Sequence, residues 1–262
     1  MEPSSLLPAN DPWVSLNKFT AARIALGRTG VSIPLRENLS FRMAHAFARD
    51  AVFTTLETAA LTAALSGLSF PILLLHSRAT DRGQYLQRPD MGRRLDDRSL
   101  SILSENAGPF DVCINVADGL SASAINHHAI PLLTLLLPRL LAAGLTVAPI
   151  CIIEQGRVAI SDETGFTIGA KLSIILIGER PGLSSPDSLG VYLTYHPEVG
   201  NTDHQRNCIS NIGPNGLPYP NAADIIYFLV MESLRLKLSG VGLKDLSGLL
   251  LPFVIPSAAS SS

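Results

Sequence analysis

The apolar residues of this chain change their spacing once. Up to about residue 84 they recur at helical intervals. Leu39, Met43, Ala46 and Phe47 share one helix face, as do Val52, Leu56, Ala60 and Ala64, with Arg and Asp on the other. Pro34 marks a boundary between an N-terminal arm and this helical region. Glycines in the arm's cationic stretch, Arg23 to Gly30, argue against one long helix. From about Pro71 short, continuously apolar runs take over: Ile72–Leu75, Val112–Val116, Val147–Ile153 and Leu172–Ile177. Unbroken runs are expected of strands covered on both faces. Between the second and third, Ser121–Ala143 reads as a helix capped by Ser121 and bent or divided by Pro131 and Pro138. A last helix, Ala222–Leu238, follows the Gly/Pro-rich loop Gly213–Pro220. This alternation predicts an α/β fold: a mostly parallel sheet flanked by helices, joined by right-handed crossovers, with an N-terminal helical extension. Three sections are expected: an arm and helical region over 1–84, an α/β ligand-binding domain over 85–245, and an apolar, small-residue tail over 246–262.

Composition narrows the setting. With 262 residues, 47% apolar and 16% charged, the chain can bury a large core. Twenty basic residues stand against 22 acidic ones, which gives no reason to expect a nucleic-acid or anionic-membrane surface. Three scattered cysteines, Cys113, Cys151 and Cys208, form neither a disulfide framework nor a metal pair, and point to a reducing cytoplasm. No secretory signal is expected in Met1–Asn10, which holds Glu2 and two prolines. The nearest approach to a membrane span, Ala129–Ile153, is broken by Pro131, Pro138, Arg139 and Pro149, and reads as a buried helix followed by a buried strand. Lysine occurs only at Lys18, Lys171, Lys237 and Lys244; the other basic residues are arginines, suited to bidentate pairing with carboxylates or phosphates.

In an open α/β sheet, ligands bind beyond the carboxyl ends of the strands. Two such ends are polar here. Val112–Val116 leads into Asp118-Gly119-Leu120-Ser121, a plain capped turn or a ligand loop. Leu172–Ile177 leads into Gly178-Glu179-Arg180-Pro181-Gly182, where Glu179 and Arg180 form either a local surface pair or a carboxylate and a guanidinium at the mouth of a buried strand. Gly156-Arg157-Val158 could offer backbone groups to the same crevice. The loop Arg88 to Arg94 could anchor a phosphate or a partner's carboxylates, or be a solvated charge run. Cys208, among polar neighbours, is either a small packing group or a nucleophile. There is no GxxxxGK[ST] loop, no GxGxxG and no GxSxG elbow, and the six histidines show no metal spacing. No catalytic residue set and no metal site is expected. Such a chain binds a ligand for a partner that carries the chemistry.

Five stretches occur in a telling order: TAARIALGRTG from Thr20, YLQRPDMGRRL from Tyr85, ADGLSASAI from Ala117, GRVAISDETGFTIGAKLSIILIGERPGLSSPDSLGVY from Gly156, and CISNIGPNGLPYPNAA from Cys208. Over Lys18 to Gly240 they resemble the small (light) subunit of ethanolamine ammonia-lyase, an adenosylcobalamin-dependent enzyme. The resemblance implies a Rossmann-like, cobalamin-binding α/β domain packed against a TIM-barrel large subunit in a hetero-oligomer, with the cofactor between them. It implies conversion of ethanolamine to acetaldehyde and ammonia by radical chemistry, in ethanolamine catabolism, with the substrate handled by the large subunit.

Carried over by motif, the cofactor contacts fall on Val158 in GRV, Glu179 in GERPG and Cys208 in CISN. The corrin side chains end in neutral amides, for which the Glu179 carboxylate is an acceptor. Val158 and Cys208 would contribute main-chain groups and packing. The stretch Glu198–Gln205 is slightly short against the family pattern. RPDMGRRL is expected to dock the large subunit. No histidine has an aspartate two positions before it, as a DxHxxG cobalt-ligand loop requires, so the cofactor is expected base-on. The residues before Lys18 carry no amphipathic address. Enclosure in a bacterial microcompartment is thus a property of the family and not of these residues. The tail is expected either to cover an apolar patch on a neighbouring subunit or to stay unfolded. Two other readings remain: a self-sufficient Rossmann-like hydrolase or nucleotide-dependent transferase using Asp118 and Glu179, and an assembly subunit that never touches the cofactor.

Overall fold

The structure, a computed structural model, describes residues 13–245 apart from Ala21 and Ser69. The tail over 246–262, and the role expected of it, lies outside the described residues. After the arm come two helices, α1 (Leu35–Phe53) and α2 (Thr58–Ser66). Six strands follow: β1 (Ile72–His76), β2 (Phe110–Ala117), β3 (Ile150–Glu154), β4 (Ala170–Gly178), β5 (Leu189–Tyr195) and β6 (Arg206–Ile212). They form one sheet in the order β1-β3-β2-β4-β5-β6. The first four are mutually parallel; β5 runs antiparallel to β4, and β6 antiparallel to β5. Five more α-helices lie among the described residues: α3 (Arg82–Gln87), α4 (Asp97–Glu105), α5 (Ala122–Ala142), α6 (Ile160–Ile168) and α7 (Tyr219–Leu236).

This is the expected Rossmann-like α/β architecture, with two cores. On one sheet face Val112, Ile114 and Val116 of β2 and Leu193 of β5 pack against Leu132 and Leu136 of α5 and Ile226 of α7. On the other, Cys113, Cys151, Ile153 and Ile175 meet Leu103 of α4 and Ile160 of α6. Cys113 and Cys151 serve there as small apolar groups. Strand-bearing chain begins at Ile72, because β1 is hydrogen-bonded in register to β3.

The structure departs from the periodicity in four places. Pro131 and Pro138 do not divide the long helix, which runs unbroken from a Ser121 cap. Each interior proline costs about 3 kcal/mol, but Leu132, Leu133, Leu136, Leu137 and Leu140 are all buried, at roughly 1.5–3 kcal/mol apiece. The set Val52 to Ala64 spans a break between α1 and α2. On α1 the apolar stripe faces outward: Leu39 is 52%, Met43 57% and Phe47 56% exposed. Finally, β5 and β6 were not expected. They alternate instead of running apolar throughout, because only one of their faces is covered: Leu189, Val191, Leu193, Ile209 and Ile212 enter the core beneath α5 and α7. A parallel strand needs a helical crossover, whereas a hairpin-linked antiparallel strand brings no helix with it. The second face of β5 and β6 is therefore bare of any helix of its own; Thr194 and Arg206 on it are buried, whereas Cys208 and Ser210 are exposed. Among the described residues no helix is long and apolar enough to cross a membrane.

Candidate functional site

That bare face is the floor of a cleft of about 890 Å³. Alternation along β5 and β6 turns Gly190, Tyr192 and Thr194, with Arg206, Cys208 and Ser210, away from the α5–α7 core. One wall is built from the turns that follow the parallel strands at their carboxyl edge, including Gly119, Val158 and Glu179; another comes from the 199–203 loop.

Glu179 is the first residue beyond β4. Its backbone N–H bonds to the Ser188 carbonyl at 3.0 Å, closing the base of the β4–β5 hairpin. Its Oε2 accepts from the Asn211 N–H at 3.1 Å. Asn211 holds φ at 58°, which turns that N–H out of the strand ladder. A methyl at Gly190 would stand 3.1 Å from both Cγ and Oε1 of Glu179, so glycine is what lets the side chain lie along β5. Oε1 makes no hydrogen bond to any described residue. Glu179 and Arg180 do not form the surface pair that was one reading of the sequence; no ion pair joins them.

Val158 sits half-buried in the turn between β3 and α6 and lines the same cleft. Cys208 lies on β6, not in a loop, opposite Tyr192 in the antiparallel register. Partial burial is the main cause that pushes the thiol's pKa up, with the nearby Glu179 carboxylate adding to it against the pull of the neighbouring Tyr192 hydroxyl. A thiol held protonated is a poor nucleophile, which favours the packing reading. Tyr192, not Cys208, forms part of the lining.

The Asp118 turn is structural, and the basic loop is tied into the fold at Gly92 and Arg94. Asp118 is buried, and its carboxylate accepts from the Gln155 and Gly156 N–H groups at 3.0 Å each, with Arg82 Nη1 at 3.7 Å. Those bonds hold Gln155 in the left-handed region, at φ 56°. Burial nevertheless pushes Asp118 up to about 6. Because the folded-state pKa exceeds the usual 3.8, the folded protein binds the proton more tightly, and stability from this group rises as pH falls through 6. Measured by urea unfolding at pH 7 and pH 5, the stability difference between wild type and Asp118→Asn is expected to move toward wild type by ~1 kcal/mol on acidification.

Within RPDMGRRL, Arg94 bonds Glu163 of α6 at 3.0 and 2.7 Å, and the other Glu163 oxygen accepts from the Leu95 N–H at 2.7 Å. Gly92 takes the Arg157 N–H on its carbonyl at 2.7 Å. A methyl at Gly92 would press on Arg157, Gln155 and Tyr85 at 3.0–3.1 Å. Arg157 and Arg82 stack on the Tyr85 ring at 4.4 and 4.6 Å. The GRV and RPDMGRRL motifs are therefore one packed unit behind the cleft.

Sequence reasoning missed a second pair at the far end. Arg206 grips Asp162 through two bonds, of 3.0 and 2.8 Å, and donates to the Asn201 carbonyl at 2.8 Å. The side chains are 2% and 1% exposed. The signal lay in the alternation Arg206-Asn207-Cys208-Ile209, which marks a one-sided strand that puts Arg206 and Cys208 on the same face. Among the described residues no group of acids, histidines and cysteines could hold a metal, and no histidine lines the cleft.

An open Rossmann-like sheet with a cleft at its carboxyl edge defines an α/β protein whose cleft lies where ligands bind in such folds. The family model described as ethanolamine ammonia-lyase light chain (EutC) matches residues 10–244. The chain is 53% identical over 249 residues to the ethanolamine ammonia-lyase small subunit of Pseudomonas fluorescens (strain Pf0-1), covering 94% of this chain and 90% of that one. It is also 53% identical to the small subunit of Ralstonia nicotianae (strain ATCC BAA-1114 / GMI1000) over 239 residues, 90% of this chain and 88% of that one. The small subunit of Pseudomonas aeruginosa (strain LESB58) matches at 53% over 241 residues, with 90% and 88% covered. This chain belongs to the ethanolamine ammonia-lyase light chain family.

Proposed function

We propose that the chain is the small subunit of an adenosylcobalamin-dependent ethanolamine ammonia-lyase, and that it holds the base-on cofactor in this cleft against a TIM-barrel large subunit. The reaction converts ethanolamine to acetaldehyde and ammonia. When bound, adenosylcobalamin supplies the radical chemistry through homolysis of its Co–C bond. This chain's part is to bind and orient. The observation that carries the reading is the convergence of Val158, Glu179 and Tyr192 on one cleft, with Cys208 beside Tyr192 on the neighbouring strand.

The residues present fit such a group. A broad macrocycle needs a flat surface, which β5 and β6 offer. Its amide N–H groups need an acceptor, and Glu179 has one oxygen held by Asn211 and the other unengaged by the described chain. Val158 and Tyr192 supply packing.

The rival reading as a self-sufficient enzyme meets a specific difficulty: both Asp118 oxygens are bonded to backbone N–H groups and buried, away from any ligand. The assembly-only reading is separated by experiment. In a complex coexpressed with a large subunit, Glu179→Gln is expected to weaken adenosylcobalamin binding by about 10- to 100-fold, the loss of a charged acceptor. Titration of the cofactor's absorbance reads this directly, and ammonia release follows it. Unchanged affinity in an intact complex means that the chain does not contact the cofactor through Glu179.

A further inference from the structure

The cleft is lined by five arginines, and they are not equivalent. Arg94 is bound to Glu163 and Arg206 to Asp162. Arg157 is stacked on Tyr85 and donates to the Tyr85 carbonyl at 2.8 Å. Arg93 and Arg180 differ: both are exposed, and neither has an acid within ion-pair distance or a hydrogen-bond partner for its side chain among the described residues. The nearest acid in sequence to Arg180, Glu179, is turned to the Asn211 N–H instead. An arginine of this chain can pair two-pronged with an acid, as Arg88 does with Asp90 and Arg235 with Glu232; exposed arginines on α1 such as Arg36, Arg42 and Arg49 are unpaired too, but Arg93 and Arg180 are the unpaired ones that line this cleft. Two guanidiniums left unpaired on the rim of one cleft await an anion from outside. Their planar, two-donor geometry suits a phosphate.

Resting on the cofactor reading above, we propose that Arg93 and Arg180 bind the phosphodiester of the cobalamin nucleotide tail. The corrin's side chains are neutral amides, so the phosphodiester is the peripheral anion the ligand presents. The two arginines thus set specificity for the complete cofactor, while Glu179 serves the corrin amides. The 91–93 turn and the β4–β5 loop, which carry Arg93 and Arg180, are anchored from behind by Arg94–Glu163 and by the Glu179–Ser188 bond.

The test compares adenosylcobalamin with adenosylcobinamide, which lacks the phosphodiester and its base, on the complete complex with the large subunit. The double variant Arg93→Gln/Arg180→Gln is expected to lose about 10- to 100-fold in affinity for adenosylcobalamin and to keep adenosylcobinamide within two- to threefold. Equal change for both probes, or change for neither, overturns the proposal. Loss of copurification with the large subunit also overturns it, assigning the pair to a partner's carboxylates. Wild-type complex gives an arm independent of the variant: its preference for adenosylcobalamin over adenosylcobinamide should shrink as salt is raised, and a salt-independent preference counts against the proposal. Failure of the underlying reading looks different. Glu179→Gln should weaken both probes alike, and if it weakens neither, the Glu179 contact fails whichever way the arginine ratio falls.

Discussion

Replacing Arg206 with methionine is expected to cost about 3–5 kcal/mol of stability at pH 8, the usual result of stranding one member of a buried ion pair. A domain is stable by only ~5–15 kcal/mol in total, so the loss is severe. The reason is geometric. Asp162 sits on α6 beneath the cleft, 1% exposed, with both oxygens bonded to Arg206. Even with that partner, burial holds its carboxyl up at about 6. Without the guanidinium the carboxylate has no comparable donor, and its proton is bound more tightly still. The sign of the pH dependence follows: the folded-state pKa lies above the unfolded one, so stability returns as the medium is acidified and the side chain becomes neutral. Urea unfolding of Arg206→Met at pH 8 and pH 5 should show a smaller deficit at pH 5. The double variant Arg206→Met/Asp162→Leu should recover most of the loss at both, since an apolar pair can replace a buried salt bridge. A single-variant deficit below ~1 kcal/mol would show that water or another donor reaches Asp162.

Gly178→Ala is expected to be at least as damaging. At the end of β4 the chain passes against the β2–α5 turn so closely that an added methyl would overlap the Ser121 carbonyl oxygen and stand 2.6 Å from that of Asp118. Neither neighbour is a flexible side-chain tip. The backbone itself must part, which exceeds the ~1–3 kcal/mol typical of an overfilled core. The displacement acts on function as well as stability, because the next residue is Glu179 and the Leu120 N–H bonds to the Gly178 carbonyl at 3.0 Å. In the assembled complex, any folded fraction of Gly178→Ala should bind the cofactor more weakly than the loss of folded material explains. A variant with wild-type stability and affinity would mean that the turn yields without consequence.

How much of this was legible in the sequence depends on what each pattern reports. The four parallel strands announced themselves as unbroken apolar runs; in β2, β3 and β4 both faces are covered, whereas edge strand β1 keeps its run although Leu74 is exposed. Ser121 as a cap was equally plain. β5 and β6 were not, because their second face carries polar residues and their alternation in Leu189–Tyr195 is interrupted by Gly190. The site suffered for it: Tyr192, Arg206 and Cys208 belong to those strands. Motif likeness located Val158 and Glu179, but not what holds them. The Asn211 N–H on Glu179 and the role of Gly190 are long-range facts, 32 and 11 residues away in sequence, that no local window contains. Arg94 shows the same limit. It pairs with Glu163, 69 residues on, a partner that no local window contains.

The outward apolar stripe of α1, at Leu39, Met43 and Phe47, has a thermodynamic meaning. Apolar area that folding leaves in water can still be withdrawn by whatever settles on it, and that further gain goes to the native state alone. Heat tolerance then ceases to be an attribute of the polypeptide. It becomes an attribute of the mixture, set by how much of each companion molecule is present.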